Sequence, residues 1–402
     1  GTTTIRCVVG HIDGTTGTPT IVGVGSASNS GMRKGVVANL AGPAAAIDEA
    51  LGEAERMSGY QVDAATVSIN GTHILSTKAD GMIAVGALDH EINHDDLSRI
   101  EEVATTGKVP ANREILEVVP HSYKLDGQDN IKDPLGMTGT RLEISANVIS
   151  ALAPHLHNLQ KTSEMAKVNA HTITPSVLAA AKAVLSEQQI ENGVAVIDIG
   201  GATTSLAVFE EGDLQYIGII PVGGINITND LAIGLKTDPE IAEKVKLAHA
   251  VAVPRKDVEG ISIKQEGGDV LTFNSSDIDE IVEARLEEIF DAVNKELKKI
   301  GKAGQLPSGV VLTGGTAQLK HITDYAKHKL GLAARVGKAS GYAGVAENIE
   351  NSAFATVAGL MLLDSEVDGR NAVGRSGDGF NSKAAMKQAS GFISKFLTRF
   401  KP

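Results

Sequence analysis

The chain has one cysteine, Cys7, and no tryptophan. A single cysteine excludes an intramolecular disulfide and suits a reducing compartment. Aromatic residues make up only 3% of the chain, so its cores must be built from Val, Ile, Leu and Ala. Positive charge is short as well: 37 Lys and Arg against 49 Asp and Glu leave a net charge of −12. An acidic body without an aromatic-rich basic stripe is expected to repel nucleic acid. Long apolar runs are missing. The longest candidate, Ala353 to Leu363, contains Thr356 and Gly359 and falls short of the roughly 18 to 20 residues that span a bilayer. No signal peptide is recognisable, and the chain starts at Gly1 without a Met, as a sequence lacking a few native residues at its front would. The remainder, 42% hydrophobic and 21% charged over 402 residues, is an ordinary globular mixture long enough for two or more lobes.

Glycine is present where apolar runs end. The run Val194-Ala195-Val196-Ile197 leads through Asp198 and Ile199 into Gly200-Gly201-Ala202-Thr203-Thr204, and a second apolar run follows to Val208. The pattern predicts strand, tight turn, strand: a β-hairpin with a glycine-rich tip. Gly200 and Gly201 let the backbone come close to a ligand and aim successive N–H groups at it. The hydroxyls of Thr203 and Thr204 can add bonds to phosphate oxygens, and Asp198 can hold a hydrated divalent cation. An ordinary hairpin needs neither the aspartate nor the hydroxyls, so phosphate binding is the better reading. Gly1-Thr2-Thr3-Thr4, before the strand Ile5 to Val9, is a candidate second loop of the same kind. Val310 to Leu312 is a buried strand that runs into Thr313-Gly314-Gly315-Thr316 and then a helix, another close approach of backbone to ligand.

Other elements follow from periodicity and punctuation. A second strand covers Thr20 to Gly25, and a helix with Pro at its start covers Pro43 to Met57. Thr66 to Ile69 is a strand. Between about Gly81 and Ile149 the texture changes to a charged helix, Asp95 to Val103, with strands near Ile115 to Val119 and Arg141 to Val148. The aspartates of Lys124 to Pro134 lack the closing acid of a calcium loop and read as a solvated turn. A helix is expected over Ser150 to Val168. His155 and His157 lie two apart on it, on different faces, and are expected to be exposed rather than to share a metal. Ser176 to Leu185 is a helix and Leu214 to Ile220 a strand that ends in Pro221-Val222-Gly223-Gly224. Helices follow at Ile225 to Ile233 and Asp238 to Ala248. The latter carries Glu240, Glu243, Lys244 and Lys246, which alone would read as a solvated face. The longest helix is Asp277 to Ile300, and Ser352 to Leu363 closes the globular part.

The tail is different. Asp364 to Ser382 is rich in Gly, Asp, Asn and Ser and reads as a flexible linker. From Lys383 to Pro402, a helical period puts Phe392, Ile393, Phe396, Leu397 and Phe400 on one face, with Lys395 and Arg399 among the basic residues around it. A basic amphipathic helix on an acidic protein is expected to lie on an anionic lipid surface. The alternative is docking on the body or in a partner groove. The linker and the charge contrast favour the lipid.

The order of the glycine-rich elements resembles the ATPase superfamily of actin, heat-shock ATPases and sugar kinases. Within it the chain resembles the family of the bacterial cell-division protein FtsA over nearly its whole length. The segments that carry the likeness are Ser30 to Val37, Ile131 to Met137, Gly223 to Asp230, Thr313 to Leu319 and the amphipathic terminus. The resemblance implies an α/β, actin-like two-lobed ATPase fold with duplicated mixed-sheet domains and an inserted α+β subdomain. The first domain would take residues 1–80 and 150–174, the insert 81–149, the second domain 175–363, the linker 364–382 and the membrane helix 383–402. ATP and Mg²⁺ are implied in the cleft. Gly1, Thr2 and Thr3 match the first phosphate loop; Asp198, Gly200, Gly201, Ala202, Thr203 and Thr204 match the second, with Mg²⁺ held through water by Asp198. Gly223 and Gly224 would lie by phosphates and ribose, Glu243 and Lys246 by ribose and adenine, and Gly314, Gly315 and Thr316 in an adenosine loop. The implied partners are the FtsZ C-terminal tail, a second copy of the chain in an actin-like protofilament, anionic lipids at the inner face of the cytoplasmic membrane, and later division proteins at the septum.

The chain departs from the family pattern at several places. The aspartate expected two residues before Gly1 lies outside the sequence; a real truncation there would weaken Mg²⁺ coordination and the first sheet. Ala202 replaces a Gly and Ser205 an Asp. Thr174 stands where related ATPases carry a Glu or Gln that orients water, so ATP binding with slow hydrolysis is expected. Two other readings compete. A small-molecule kinase on this fold would need an aspartate base that the sequence does not reveal. A pilus-assembly adaptor would leave the terminal helix unexplained.

Overall fold

The structure, a computed structural model, describes residues 1–12, 18–86, 90–264, 270–344 and 349–374, with side chains as far as 365. The amphipathic segment 383–402 lies outside the described residues, as does the end of the expected linker, 375–382.

The first lobe opens with β1 (Thr4–Ile12) and β2 (Pro19–Ser28), an antiparallel pair, then a short hairpin, β3 (Met32–Arg33) and β4 (Val36–Val37). Helix α1 (Ala41–Ser58) buries a stripe of Ala44, Ala46, Ala50 and Ala54 toward the first sheet and ends on a left-handed Gly59. Strand β5 (Ala64–Ile69) follows. The inserted subdomain then runs through β6 (Leu75–Ala84), α2 (His94–Thr105), β7 (Arg113–Leu125), β8 (Gln128–Ile131) and β9 (Arg141–Leu152), its sheet ordered β6-β9-β7-β8. The expected boundary at 80/81 falls inside β6, which pairs antiparallel with β9 along its full length. The helix expected from Ser150 starts later, because β9 continues to Leu152. It is α3 (Ala153–Met165), and β10 (Asn169–Pro175) then pairs parallel with β5.

The second lobe begins with α4 (Ser176–Val184) and α5 (Glu187–Asn192). A meander follows of β11 (Val194–Ile199), β12 (Thr204–Glu210) and β13 (Asp213–Ile220). Helices α6 (Gly224–Gly234) and α7 (Pro239–His249), the pair β14 (Gly260–Lys264) and β15 (Val270–Asn274), and α8 (Ser275–Lys299) lead to β16 (Val310–Thr313). A short 3-10 turn over Gly315–Gln318, rather than a helix, precedes α9 (Ile322–Leu330) and β17 (Ala334–Val336). The lobe's sheet is mixed, ordered β13-β12-β11-β16-β17, with β16 parallel to β11. Near its end the chain returns to the first lobe: β18 (Ala343–Gly344) pairs with β2. The closing helix, α10 (Ala355–Gly374), continues past Asp364, where a linker was expected. Asp364 accepts a hydrogen bond from Thr66 Oγ1 at 2.6 Å and pairs with His171 at 2.7 Å, so these contacts hold the helix on the first lobe beyond Leu363.

The cores match the composition. One cluster spans both lobes, joining Ile21 and Ile69 of the first to Val196 and Phe209 of the second, with Leu178 and Leu362 from α4 and α10. A second lies wholly in the second lobe under α8, and a third inside the inserted subdomain. The glycine-rich turns of the two lobes meet where Thr3 comes up against Gly201.

Candidate functional site

The β11–β12 hairpin has the expected form. Ile199 faces Thr204 across the ladder, and Gly200 N–H donates to Thr203 O at 2.9 Å to close the tip. Asp198 lies at the end of the inner strand and is 8% exposed. Burial pushes its carboxyl up to about 6, against the pull of the Arg6 cation and the Thr356 hydroxyl.

The other glycine loops close around this tip. Gly224 N–H donates to Gly200 O at 2.9 Å and Ile225 N–H to Gly201 O at 2.7 Å. Thr316 Oγ1 donates to the same Gly200 carbonyl at 3.3 Å. A methyl on Gly223 would lie 2.6 Å from Gly200 O, and one on Gly224 2.3 Å from Thr316 Oγ1. Gly314 has a φ of +87°, and a methyl there would sit 2.5 Å from Asp198 Oδ1. From the first lobe, Thr3 comes so close that a methyl on Gly201 would lie 2.8 Å from its Oγ1. Asn29 fixes this N-terminal loop: its amide Nδ2 donates to Gly1 O and its N–H to Thr3 O, both at 2.9 Å. Thr2, between them, is half-buried, and Gly315 is open on its Cβ side. Lys246 Nζ donates to Gly224 O at 3.1 Å and to Thr228 Oγ1 at 2.8 Å, and pairs with Glu243 at 2.6 Å. Glu243 and Lys246 thus buttress the Gly223–Gly224 loop from behind and are not a free solvated pair.

Some residues differ from expectation. Thr204 is fully buried and its hydroxyl donates to Val222 O at 2.9 Å, so it holds the loop instead of facing the cleft. His155 is not exposed. It lies in the first turn of α3 at the neck of the inserted subdomain with its ring tilted against that of His73, centroids 4.4 Å apart; His157 is exposed and pairs with Glu114. Ala202 is buried, Ser205 Oγ donates to Asn70 Oδ1 at 3.2 Å, and Thr174 is buried in the β10–β5 pair opposite Ser68.

The sequence reading missed Arg6, Asn70, Asn226 and Ser352. Arg6 lies over the Phe354 ring at 5.0 Å and in the field of Asp198. Asn70 Nδ2 donates to Thr203 Oγ1 at 3.2 Å, Asn226 Oδ1 accepts from Gly223 N–H at 3.0 Å, and Ser352 O accepts from Gly314 N–H at 3.1 Å. The Asn-Gly pair directly after the strand Thr66–Ile69, and the lone cation of the first strand, were the available signals for two of them.

The arrangement suits a phosphate-bearing ligand. Arg6 Nε and Thr313 Oγ1 are buried with no hydrogen-bond partner among the described residues, and Thr313 pairs with Asp198 across the β16–β11 ladder. Bare glycines let these loops pack directly on one another, and of the set Gly315 alone is open on its Cβ side. No group of three His, Cys, Asp or Glu side chains among the described residues could hold a metal by itself. A hard cation here would use Asp198 and complete its shell from water and phosphate oxygens, as Mg²⁺ does.

Comparison with known proteins shows the family. A family model described as "Cell division protein FtsA" matches residues 195–359, and one described as "SHS2 domain inserted in FTSA" matches residues 71–150. The chain is 32% identical to the cell-division protein FtsA of Pseudomonas aeruginosa over 95% of its own length and 92% of the relative's. The chain belongs to the FtsA family. It is also 37% identical to the FtsA of Bacillus subtilis, over 82% of this chain and 75% of that one. Among solved structures, the PilM–PilN type IV pilus biogenesis complex superposes with a TM-score of 0.65, covering 90% of this chain and 96% of that one. At 15% identity that likeness carries the fold alone. The fold is actin-like and α/β, and the FtsA insert begins at the neck, ahead of position 81.

Proposed function

We propose that this FtsA-family chain is a nucleotide-gated membrane scaffold of cell division. It binds ATP with Mg²⁺ in the cleft and holds FtsZ filaments, through the FtsZ C-terminal tail, at the inner face of the cytoplasmic membrane. It assembles with itself into actin-like protofilaments and recruits later division proteins to the septum. The observation that carries the nucleotide reading is the convergence of Thr3, Gly200–Thr203, Gly223–Gly224 and Gly314–Thr316 around the buried Asp198.

In this reading the backbone N–H groups at the hairpin tip and Arg6 bind phosphate oxygens. Asp198 orients the hydrated cation, and bound Mg²⁺ neutralises charge on the phosphates. Gly314 and Gly315 let the backbone lie flat against the nucleoside. Thr174 is a poor base for activating water, so the site retains ATP and hydrolyses it slowly. The membrane reading rests on the sequence of residues 383–402, whose apolar face is Phe392, Ile393, Phe396, Leu397 and Phe400. No helix among the described residues is long and apolar enough to cross a membrane.

Co-sedimentation with anionic liposomes tests both halves. The full chain is compared with one ending at Ser382, with and without ATP·Mg²⁺. Pelleting that needs the tail and strengthens with ATP is expected. Pelleting of the shortened chain removes the tail as the anchor. Indifference to ATP separates the anchor from the cleft, and no pelleting of the full chain ends the lipid reading.

A further inference from the structure

The inserted subdomain interrupts the first lobe in sequence, between β5 and α3. It touches that lobe through the Glu114–His157 pair and a shared apolar base, and it reaches the second lobe as well. Lys132, in the Ile131–Met137 segment, directs its ammonium to the Asp213 carboxylate and to the Glu211 carbonyl at 3.1 Å, with the His121 carbonyl of its own subdomain at 3.2 Å. Asn147, on β9 and 1% exposed, donates its amide to Leu214 O at 2.8 Å and Gln215 O at 3.1 Å. These carbonyls lie on β13, the edge strand of the second lobe's sheet. Burial pushes the Asp213 carboxyl up to about 6 against the pull of Lys132, whose own side chain stays more than a third exposed.

At the other end of the meander, the neck also reaches the second lobe. Asn70, the first residue after β5, donates to Thr203 Oγ1 at the hairpin tip and accepts from Ser205 Oγ. His73 Nε2 donates to Asn70 O at 3.2 Å, which fixes Asn70 against the neck, and Arg113 of β7 donates to the His73 carbonyl. Burial, with His155 beside it, pulls His73 down to about 4, so the ring stays neutral near pH 7 and leaves this bond intact.

We infer that the inserted subdomain is clamped to the second lobe, by Lys132 and Asn147 at the β12–β13 end and by Asn70 at the Gly200–Thr203 tip, and moves with that lobe when the cleft opens or closes. The subdomain therefore swings relative to the lobe that encodes it, and the joints are the chain crossings at Ile69–Asn70 and Leu152–Ala153. Asn70 also puts the neck one hydrogen bond from the phosphate hairpin. That last link to a nucleotide rests on the function proposed above; the clamp itself does not.

Distance measurements between paired spin labels test it on the full chain, with Cys7→Ala as background. Labels go on exposed helix positions: Glu102→Cys in the inserted subdomain, Glu49→Cys in the first lobe and Lys298→Cys in the second. The 102–298 pair is expected to give one narrow distance, unchanged by ATP·Mg²⁺, and the 102–49 pair the broader distribution. Lys132→Met keeps the aliphatic stem at a half-exposed position and is expected to lose the narrow 102–298 peak. A 102–49 distance narrower than the 102–298 one overturns the inference, as does a Lys132→Met protein whose 102–298 peak is unchanged. Titration with a fluorescent ATP analogue is read beside it. No binding, together with a narrow 102–298 peak lost in Lys132→Met, removes the nucleotide reading and supports the clamp.

Discussion

Asp198 is buried, and in the proposed site its carboxylate would have to be charged to hold a cation. Its ordinary value of 3.8 is raised to about 6, so the folded state binds a proton between those values that the unfolded state has lost. Stability from this group is therefore fully present below pH 3.8 and lost as pH rises through about 6. Asp198→Asn is expected to raise stability at pH 7.5 by on the order of 1–3 kcal/mol and to abolish Mg²⁺-dependent nucleotide binding. Urea unfolding at pH 4.5 and 7.5 checks it: the gain should shrink at the lower pH. Asp213 titrates in the same window, so the difference between wild type and variant isolates Asp198. A variant less stable than wild type at pH 7.5 would contradict the burial account. At this scale the sequence was informative where chemistry and backbone coincide. Glycines ending apolar runs marked Gly200, Gly223 and Gly314 because close approach requires them. Asn70 carried only the Asn-Gly pair, which does not reveal its partners Thr203 and Ser205, and Ser352 gave no sign, since it acts on Gly314, 38 residues away.

Elements were legible where one face is apolar and the ends are punctuated. The β11–β12 hairpin and α8 emerge within a residue or two of their expected limits. Strand β6 escaped, because Leu75–Ala84 has an alternation of charged and small residues that only pairing with β9 turns into a strand. The start of α3 was misplaced for a similar reason: Ser150 to Leu152 suit either state, and the ladder with β7 decides for strand. Helix α2 has a clear signal and an equally clear consequence. Asn93 Oδ1 accepts from Asp95 N–H at 2.8 Å and Asp96 N–H at 3.1 Å, and Asp96 returns a carboxylate to Asn93 N–H. Asn93→Ala should cost about 1 kcal/mol of local stability by removing this capping box. Because the subdomain has its own core, hydrogen exchange should quicken over His94–Thr105 and stay unchanged in α8. Equal acceleration in both helices would show that the cap acts on the whole protein instead.

At the scale of the molecule, chain order and spatial order part company. Residues after 339 belong by sequence to the second lobe, yet β18 joins the first sheet and α10 packs under it, so a linear division at 363 cannot describe the body. Periodicity reports which face of an element is apolar and is silent about which lobe covers it. The shared core makes a thermodynamic claim. Apolar contacts between Ile21, Ile69, Leu178, Phe209 and Leu362 tie both lobes into one unit, so they should unfold together. A ligand in the cleft binds only that folded unit and should stabilise all of it, by about 2.7 kcal/mol at a hundredfold excess over Kd. Calorimetry is expected to show one main transition that ATP·Mg²⁺ moves upward. Gly314→Ala places a methyl against Asp198 Oδ1 on a backbone at φ +87°. It should lower that transition and remove its response to ATP while leaving it single. Two separate transitions, only one of them sensitive to ATP, would mean that the lobes fold independently and that the core spanning them contributes little to holding them together.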